Sequence, residues 1–190
     1  MPFLLDLKKC TFSFSMVFVL FAPVDAQAAS SLSDEEVASF PSLEVHSVPS
    51  ANRFRIYVNN ALHEVTLHSI DVPFFSYDVF QFSQSYGYES HMWVKNLIGW
   101  SGHDCRIDLG EAGLSGGGFT ARVYCPSRDG WYDISHRMLE LGLAWPQQKC
   151  CVSDAVIARA EQARARRVGV WSEEEPLPPW VFRSRQGIVD

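Results

Sequence analysis

The sequence predicts an α+β domain, because strand-like alternation occurs in two separate regions and helix-like periodicity lies between and after them. Apolar and polar residues alternate from Arg53 to Ile70 on both sides of Asn59-Asn60, which indicates a β-hairpin with one buried face. Two more strand-like runs, 105–109 and 119–125, flank a Gly-rich turn. These patterns on their own fit several α+β architectures.

Three helices are expected. The first lies within residues 77–98 and is interrupted or kinked near Gly87. The second runs from about residue 132 to 141, with Asp133 or Ser135 as the candidate N-cap.

The third helix begins near Ser153 or Asp154 and ends at Val168, where Gly169 stops it. Its apolar stripe is narrow and consists of Val156, Ala160, Ala163 and Val168. The residues beyond Gly169 contain three consecutive glutamates and several prolines, so we expect them to lie extended. Three aromatic residues of that segment are expected to cover the core: Trp171, Trp180 and Phe182.

Residues 1–28 have the composition of an export signal. Lys8 and Lys9 precede an apolar run, and Ala26-Gln27-Ala28 offers the small-residue cleavage pattern. The apolar run, 12–24, is shorter than the about 20 residues that cross a bilayer, so a membrane anchor is the weaker alternative. We therefore expect a periplasmic or secreted protein with no stable membrane insertion after signal cleavage.

The rest of the chain is expected to form a single domain. Residues 29–49 are Ser-rich and aperiodic and are interpreted as a flexible leader, residues 50–183 as the folded domain, and residues 184–190 as a tail.

The formal net charge of -6 argues against a general nucleic-acid binder, because phosphate neutralisation supplies most of the non-specific affinity. The basic charge that is present is clustered on the third predicted helix, at Arg159, Arg164, Arg166 and Arg167. We interpret that cluster as a solvated helix face near a C-terminus, where cations favour the helix dipole.

Four cysteines would remain after signal cleavage, and an even count in an exported protein favours disulfides. Cys105 and Cys125 lie in the two strand-like runs, so a bridge between them could tie that hairpin. Cys150 and Cys151 are adjacent and rarely bridge each other, so one of them could pair elsewhere or between chains. A zinc site that uses Cys105, Cys150, Cys151 and His103 is disfavoured, because the spacing matches no standard zinc finger.

Five short motifs stand out along the chain: Ser69-Ile70-Asp71-Val72-Pro73, Gly142-Leu143-Ala144-Trp145, Glu161-Gln162-Ala163-Arg164, Gly169-Val170-Trp171 and Pro178-Pro179-Trp180-Val181-Phe182-Arg183. In this order, between roughly residues 52 and 183, the pattern resembles the staphylococcal-nuclease-like (thermonuclease) family. The resemblance implies an OB-fold, a five-stranded barrel with about three helices. Exported members of the family often carry a cysteine pair at the places of Cys105 and Cys125.

The resemblance also indicates where a metal would bind. Active members hold calcium with two aspartates and a backbone carbonyl, flank the phosphate with two arginines, and orient water with a glutamate. Asp71 matches the second aspartate and Val72 the carbonyl, but the first aspartate aligns with the region of Asn52, where no carboxylate occurs. Calcium prefers six to eight oxygen ligands, so we expect weak calcium binding at most and no required cofactor. The alternative for Asp71 is a turn former that accepts backbone N–H groups ahead of it.

The other catalytic positions of the family are substituted. One arginine aligns with Thr66, the glutamate with Phe74, and the second arginine with Gly118 at the end of the Gly-rich turn. Phe74 and Phe75 would stand at the groove mouth and are candidate ligand-stacking residues, since OB-folds often bind bases or sugars with aromatic rings. A replacement constellation of His68 and Glu64 is less favoured than ordinary strand side chains.

We therefore expect a catalytically impaired exported protein that acts as an accessory or binding protein of the cell envelope. Exported members of the family that accompany bacterial exopolysaccharide (succinoglycan) biosynthesis are the kind it resembles, which makes polymer handling outside the cytoplasm the expected role, with a polysaccharide or a nucleic acid as the candidate partner. A secreted calcium-dependent endonuclease acting on DNA or RNA is the alternative. A third possibility is an interaction domain that pairs through Cys150 or Cys151. The oligomeric state is not predicted.

Overall fold

The computed structural model describes residues 32–58, 60–77, 82–101, 104–109, 118–148 and 152–188. The expected signal at 1–28 and the Cys150-Cys151 pair lie outside these ranges. The helices are α1 (Asp34–Ser39), α2 (Gly87–Ser101), α3 (Ile134–Glu140), α4 (Asp154–Ala165) and α5 (Pro179–Gln186), with a 3-10 helix at Gly169–Ser172. The strands are β1 (Val45–Ser50), β2 (Arg53–Val58), β3 (Ala61–Leu67), β4 (Ile70–Asp71), β5 (Arg106–Asp108), β6 (Gly118–Ser127), β7 (Gly130–Asp133) and β8 (Trp145–Pro146).

The main sheet follows the order β1-β2-β3-β6-β5, with β7 paired on β6 and a separate β4-β8 pair. Neighbours along this path are antiparallel except β3 and β6, which run parallel. The segment just before β1 bonds to β5, through Leu43 N–H to the Cys105 carbonyl and Ile107 N–H to the Pro41 carbonyl. Because the two ends of the strand order meet there, the sheet curls on itself. The predicted α+β class and OB-type sheet are confirmed, with five helices where about three were expected.

The β2-β3 hairpin forms in the register that the alternation predicts. Val58 pairs with Ala61, and Asn60 at the turn has a φ of 62°, a left-handed conformation that asparagine tolerates. The alternating apolar residues lie in the core with exposures of 2% or less: Phe54, Ile56, Val65 and Leu67.

The expected cysteine bridge is also present. Cys105 and Cys125 form a disulfide with both residues fully buried, and it joins the start of β5 to β6. At the last residue of β7, the Asp133 carboxylate accepts the Ser135 and His136 N–H groups, so Asp133 is the N-cap of α3. Both features were readable from local residue types.

The flexible leader expected at residues 29–49 is wrong for its described part. Ser33 and Glu36 form a capping box that starts α1, and β1 pairs with β2. Phe40 stacks on Tyr124 with ring centroids 6.0 Å apart, which anchors the segment to the barrel. The capping box is a local signal that the sequence analysis missed, whereas the β1 pairing and the Phe40 contact are long-range and leave no sign in an aperiodic stretch.

The extended segment expected beyond Gly169 is wrong in part. Residues 169–172 form the 3-10 helix and residues 179–186 form α5, so the first residues of the expected tail at 184–190 belong to α5, whereas residues 173–178 lie in neither helix nor strand. Pro178 occupies the N-cap of α5 and Pro179 its first turn, where a fixed φ starts a helix. Gly187 ends it with a φ of 67°. Within the described ranges, no helix has both the length and the apolar character for a bilayer span.

Candidate functional site

A cleft of about 480 Å³ lies between the β2-β3 hairpin, the chain after β4, and α5. It brings together four of the positions singled out in the sequence: Thr66, Asp71, Phe74 and Phe75. The fifth, Gly118, pairs with Glu64 in the parallel β3-β6 register, so its backbone adjoins a residue of the cleft wall. Residues 110–117 of the turn that precedes Gly118 lie outside the described ranges.

Asp71 is held by Arg183 of α5 in a two-pronged ion pair. The Asp71 Oδ2 to Arg183 Nη2 distance is 2.7 Å and the Oδ1 to Nη1 distance is 3.1 Å. Oδ1 also accepts the Val72 N–H at 2.9 Å, which is the turn-forming bond considered as the alternative role. The two side chains are only 16% and 14% exposed. Both carboxylate oxygens of the candidate metal ligand are therefore engaged by the protein itself.

An amide stands in the region expected for a first metal carboxylate. Asn52 lines the cleft, and its Oδ1 accepts the Ser50 hydroxyl at 2.9 Å. Among the described residues there is no group of three or more His, Cys, Asp or Glu side chains arranged to hold a metal ion. The described cleft lining thus offers calcium two carboxylates, Asp71 and Glu64, and both already face arginines.

Two arginines on the cleft wall were not identified as site residues from the sequence. Arg53 and Arg55 stand on β2 opposite Thr66 and Glu64 of β3. Arg55 Nε lies 3.6 Å from one Glu64 oxygen and Arg53 Nη1 4.0 Å from the other. The available signal was the alternation of β2, which places both arginines on the polar face.

The two phenylalanines line the cleft but also pack inside the protein. The Phe74 ring stacks on Phe182 of α5 with centroids 6.0 Å apart. The Phe75 ring centroid lies 4.7 Å from that of Tyr77 and 5.1 Å from that of His91. Their role in ligand stacking stays a prediction.

The histidines do not assemble with the cleft. His91 is buried, and its Nε2 lies 2.8 Å from the Tyr77 hydroxyl, which Lys95 Nζ approaches to 3.3 Å. Burial, and then the Lys95 charge, lower the pKa of His91. His68 bonds to the neighbouring Ser69 hydroxyl, and burial followed by the Arg122 charge lowers its pKa. Neither histidine is among the described lining residues, so the His68 and Glu64 pairing does not form a site with this cleft.

The basic residues of α4 are engaged with the protein surface. Arg159 Nε lies 3.3 Å from a Glu140 oxygen, and Arg166 donates to the Glu140 carbonyl at 3.1 Å. The Arg164 guanidinium lies over the Trp171 ring at 5.8 Å. Arg164, Arg166 and Arg167 are nevertheless exposed, which favours the expected interpretation of a solvated helix face.

The comparisons with known proteins agree with this geometry. Residues 64–173 match the family model described as staphylococcal nuclease homologue. Two relatives, from Escherichia coli O157:H7 and Escherichia coli, are both named uncharacterized endonuclease. Each is 26% identical over 122 residues, which cover 64% of this chain and 71% of the relative. The family match includes Thr66, Asp71 and Phe74, whereas Arg53, Arg55 and Arg183 fall outside its limits.

Proposed function

The chain belongs to the staphylococcal nuclease homologue family, and from that membership we propose that it is a catalytically impaired member acting as an exported binding or accessory protein of the cell envelope. Its proposed setting is exopolysaccharide biosynthesis of the succinoglycan kind. The observation that carries the proposal is the Asp71–Arg183 ion pair, which occupies the one cleft carboxylate that the family resemblance assigns to metal.

The chemistry of phosphodiester cleavage explains why that pair matters. Hydrolysis needs a metal or equivalent cation to polarise the phosphate, donors for the developing charge, and a group that orients water. A calcium ion at Asp71 would have to displace Arg183, and Phe74 offers no oxygen where the family's glutamate would stand. Each missing group raises the barrier, since only interactions that strengthen in the transition state accelerate the reaction.

The proposed envelope location is supported by the export pattern at residues 1–28 and by the resemblance to exported family members. The cleft itself supports binding: it is open, it contains arginines and aromatic rings, and its volume of about 480 Å³ is within the usual range for ligand sites.

The test is a nuclease assay on the processed chain beginning at residue 29. Single-stranded DNA and RNA are incubated with the protein in calcium, magnesium, manganese and zinc, and products are resolved on a denaturing gel. We expect no cleavage above a buffer blank, and an Asp71→Ala variant that matches the parent. Divalent-dependent cleavage that disappears in Asp71→Ala would overturn the proposal.

The second candidate is a secreted calcium-dependent endonuclease acting on DNA or RNA. The observation in its favour is the name endonuclease carried by the two relatives. It requires that calcium, substrate or both displace Arg183 from Asp71. It therefore makes the opposite prediction in the same assay, and cleavage should accelerate in Arg183→Gln, which releases the carboxylate.

A test of location and setting is independent of the assay. Cell fractionation with an antibody should find the processed protein outside the cytoplasm, and deletion of its gene should change the amount or chain length of exopolysaccharide. An unprocessed protein in the cytoplasm would contradict the envelope role.

A further inference from the structure

We propose that the cleft binds a carboxylate-bearing polysaccharide without a metal ion, and that Arg53 and Arg55 are the residues that recognise its acidic groups. This rests on the proposed function, because in an active nuclease the same cleft would take a nucleic acid as its ligand.

The first support is the position of the two arginines. Residues two apart on a strand project from the same face, so Arg53 and Arg55 point to the same side of β2 and both line the cleft. Their side chains are 44% and 51% exposed. A guanidinium presents N–H donors in a fork that matches the two oxygens of a carboxylate, so this pair suits acidic sugars chemically.

The second support is that their pairing with Glu64 is loose. The two arginines share this one carboxylate, at 4.0 Å and 3.6 Å, and both separations exceed the length of a good hydrogen bond. Exposed pairs of this kind contribute little to stability. An incoming carboxylate therefore competes with Glu64 at small cost.

The third support is the balance of charge, which favours a sparsely charged polymer. The described lining contains three arginines, Arg53, Arg55 and Arg183, against Glu64 and Asp71, which leaves one positive charge in excess. The whole chain carries -6. A nucleic acid carries a phosphate charge on every nucleotide, so the net negative charge of the protein would repel it along its length. A polysaccharide with intermittent carboxylates would place one acidic group on the arginines and neutral rings elsewhere.

The fourth support is the built-in cation at Asp71. Arg183 neutralises the carboxylate through both oxygens, so an anion entering the cleft meets no unpaired negative charge there. No metal is needed to screen it. Beside this pair, Phe74, Phe75 and Trp180 line the cleft with aromatic surface that suits the apolar faces of sugar rings.

Binding of oligogalacturonate, a chain of acidic sugars, tests the proposal on the full mature protein. Trp180 lines the cleft and is one of six tryptophans in the chain, so the change in total tryptophan fluorescence is followed, with isothermal titration calorimetry as a second readout. We expect saturable binding that persists in EDTA and weakens as salt is raised, and weaker binding of a neutral dextran oligosaccharide and of oligo(dT). Arg53→Gln with Arg55→Gln should weaken oligogalacturonate binding by at least tenfold, and Arg53→Lys with Arg55→Lys by less.

The matched control is Arg128→Gln with Arg185→Gln, which removes the same charge at two exposed positions outside the described lining. It should change binding less than twofold, and thermal melts should show that every variant is folded. If the double glutamine variant were unfolded, Arg55→Gln alone would replace it.

The two proposals fail in different ways. Absence of oligogalacturonate binding, loss of binding in EDTA, equal loss in the control variant, or tighter binding of oligo(dT) would each overturn the recognition of acidic sugars. If these occur without nucleic-acid cleavage, the proposed function survives. Metal-dependent cleavage of the nucleic acid would overturn the proposed function instead.

Discussion

Asp71 shows how one side chain can keep its place in a family motif and change its role. Its carboxylate lies on the short strand β4, at 16% exposure, and faces Arg183 from a helix 112 residues later. A carboxylate with so little solvent needs a compensating charge, and here the chain supplies it. The same residue with an open second carboxylate beside it would be a metal ligand.

Removing Arg183 should therefore destabilise the fold. Arg183→Ala leaves the Asp71 carboxylate largely buried and unpaired, and we expect the free energy of unfolding to fall by roughly 2–3 kcal/mol. Urea denaturation followed by tryptophan fluorescence measures this. Arg185→Ala, an exposed change on the same helix, should cost less than about 0.5 kcal/mol. Equal midpoints for the two variants would show that the ion pair does not stabilise the fold.

His91 should make stability depend on pH. Burial is the first cause and Lys95 the second of its lowered pKa, so the folded protein resists a proton that the unfolded chain takes up near pH 6.5. The contribution of neutral His91 to the free energy of unfolding is complete above about pH 6.5, and it is lost as the pH falls towards the folded-state pKa. His68 and His136, whose pKa values burial also lowers, act in the same direction.

The expected result is a smaller loss of thermal stability between pH 7.5 and pH 5 in His91→Gln than in the parent. The exposed His46→Gln variant is the control and should follow the parent. The mechanism is wrong if His91→Gln loses as much stability as the parent over that range.

Two glycine-containing motifs from distant parts of the chain hold α3 and α4 together. Gly142 follows α3, Gly169 follows α4, and the Val170 N–H donates to the Gly142 carbonyl at 2.9 Å. Both glycines have positive φ, 66° and 56°. Next to this contact, Trp145 and Trp171 pack with ring centroids 4.2 Å apart. The close backbone approach explains why glycine occupies these two positions. α4 itself ends at Ala165 with Arg166 as its C-cap, so Gly169 begins the 3-10 helix and does not stop α4 as the sequence predicted.

Gly142→Ala should be strongly destabilising. A Cβ at this position would lie 2.1 Å from the Val168 carbonyl oxygen, on a backbone with left-handed φ. We expect a loss of roughly 3 kcal/mol, from the positive φ together with the backbone displacement. Gly99→Ala is the matched control, because nothing lies within 4 Å of its Cβ and the site is inside α2. That change should be neutral or stabilising by up to about 1 kcal/mol. Chemical denaturation of both variants makes the comparison, and similar losses would argue against the close approach.

The disulfide joins the start of β5 to β6, close to the place where the segment before β1 bonds to β5 and closes the sheet. Cys105 precedes β5, Cys125 lies in β6, and the Cys105 carbonyl accepts the Leu43 N–H from the N-terminal segment. Because 20 residues separate the two cysteines, the bridge restricts the unfolded chain considerably.

A double Cys105→Ser and Cys125→Ser variant should lose about 3 kcal/mol of unfolding free energy. Reducing agent should lower the thermal midpoint of the parent to about that of the double variant. It should leave the midpoint of the double variant unchanged, which is the internal control. A parent whose midpoint ignores the reductant would contradict a stabilising bridge.

Local signals in the sequence were sufficient to predict the β2-β3 hairpin, the N-cap of α3 and the disulfide. The alternation around Asn60 and the Asp133 cap each depend on residue types close together in the chain, and Cys105 and Cys125 were identified from the two strand-like runs that contain them. The family motifs specified the barrel and indicated where the substituted positions Thr66 and Phe74 would lie. Such features are readable because strand period, capping and turn chemistry act over a few residues.

The folded structure was needed for contacts between residues far apart in the chain. In the fold, Arg183 pairs with Asp71, and Arg53 and Arg55 line the same cleft. α1 and α5 form where an aperiodic leader and an extended tail were expected. Each of these depends on which surfaces meet after the chain has closed on itself. The periodicity and spacing within one segment do not predict which surfaces will meet, because the stabilising partner belongs to a different element.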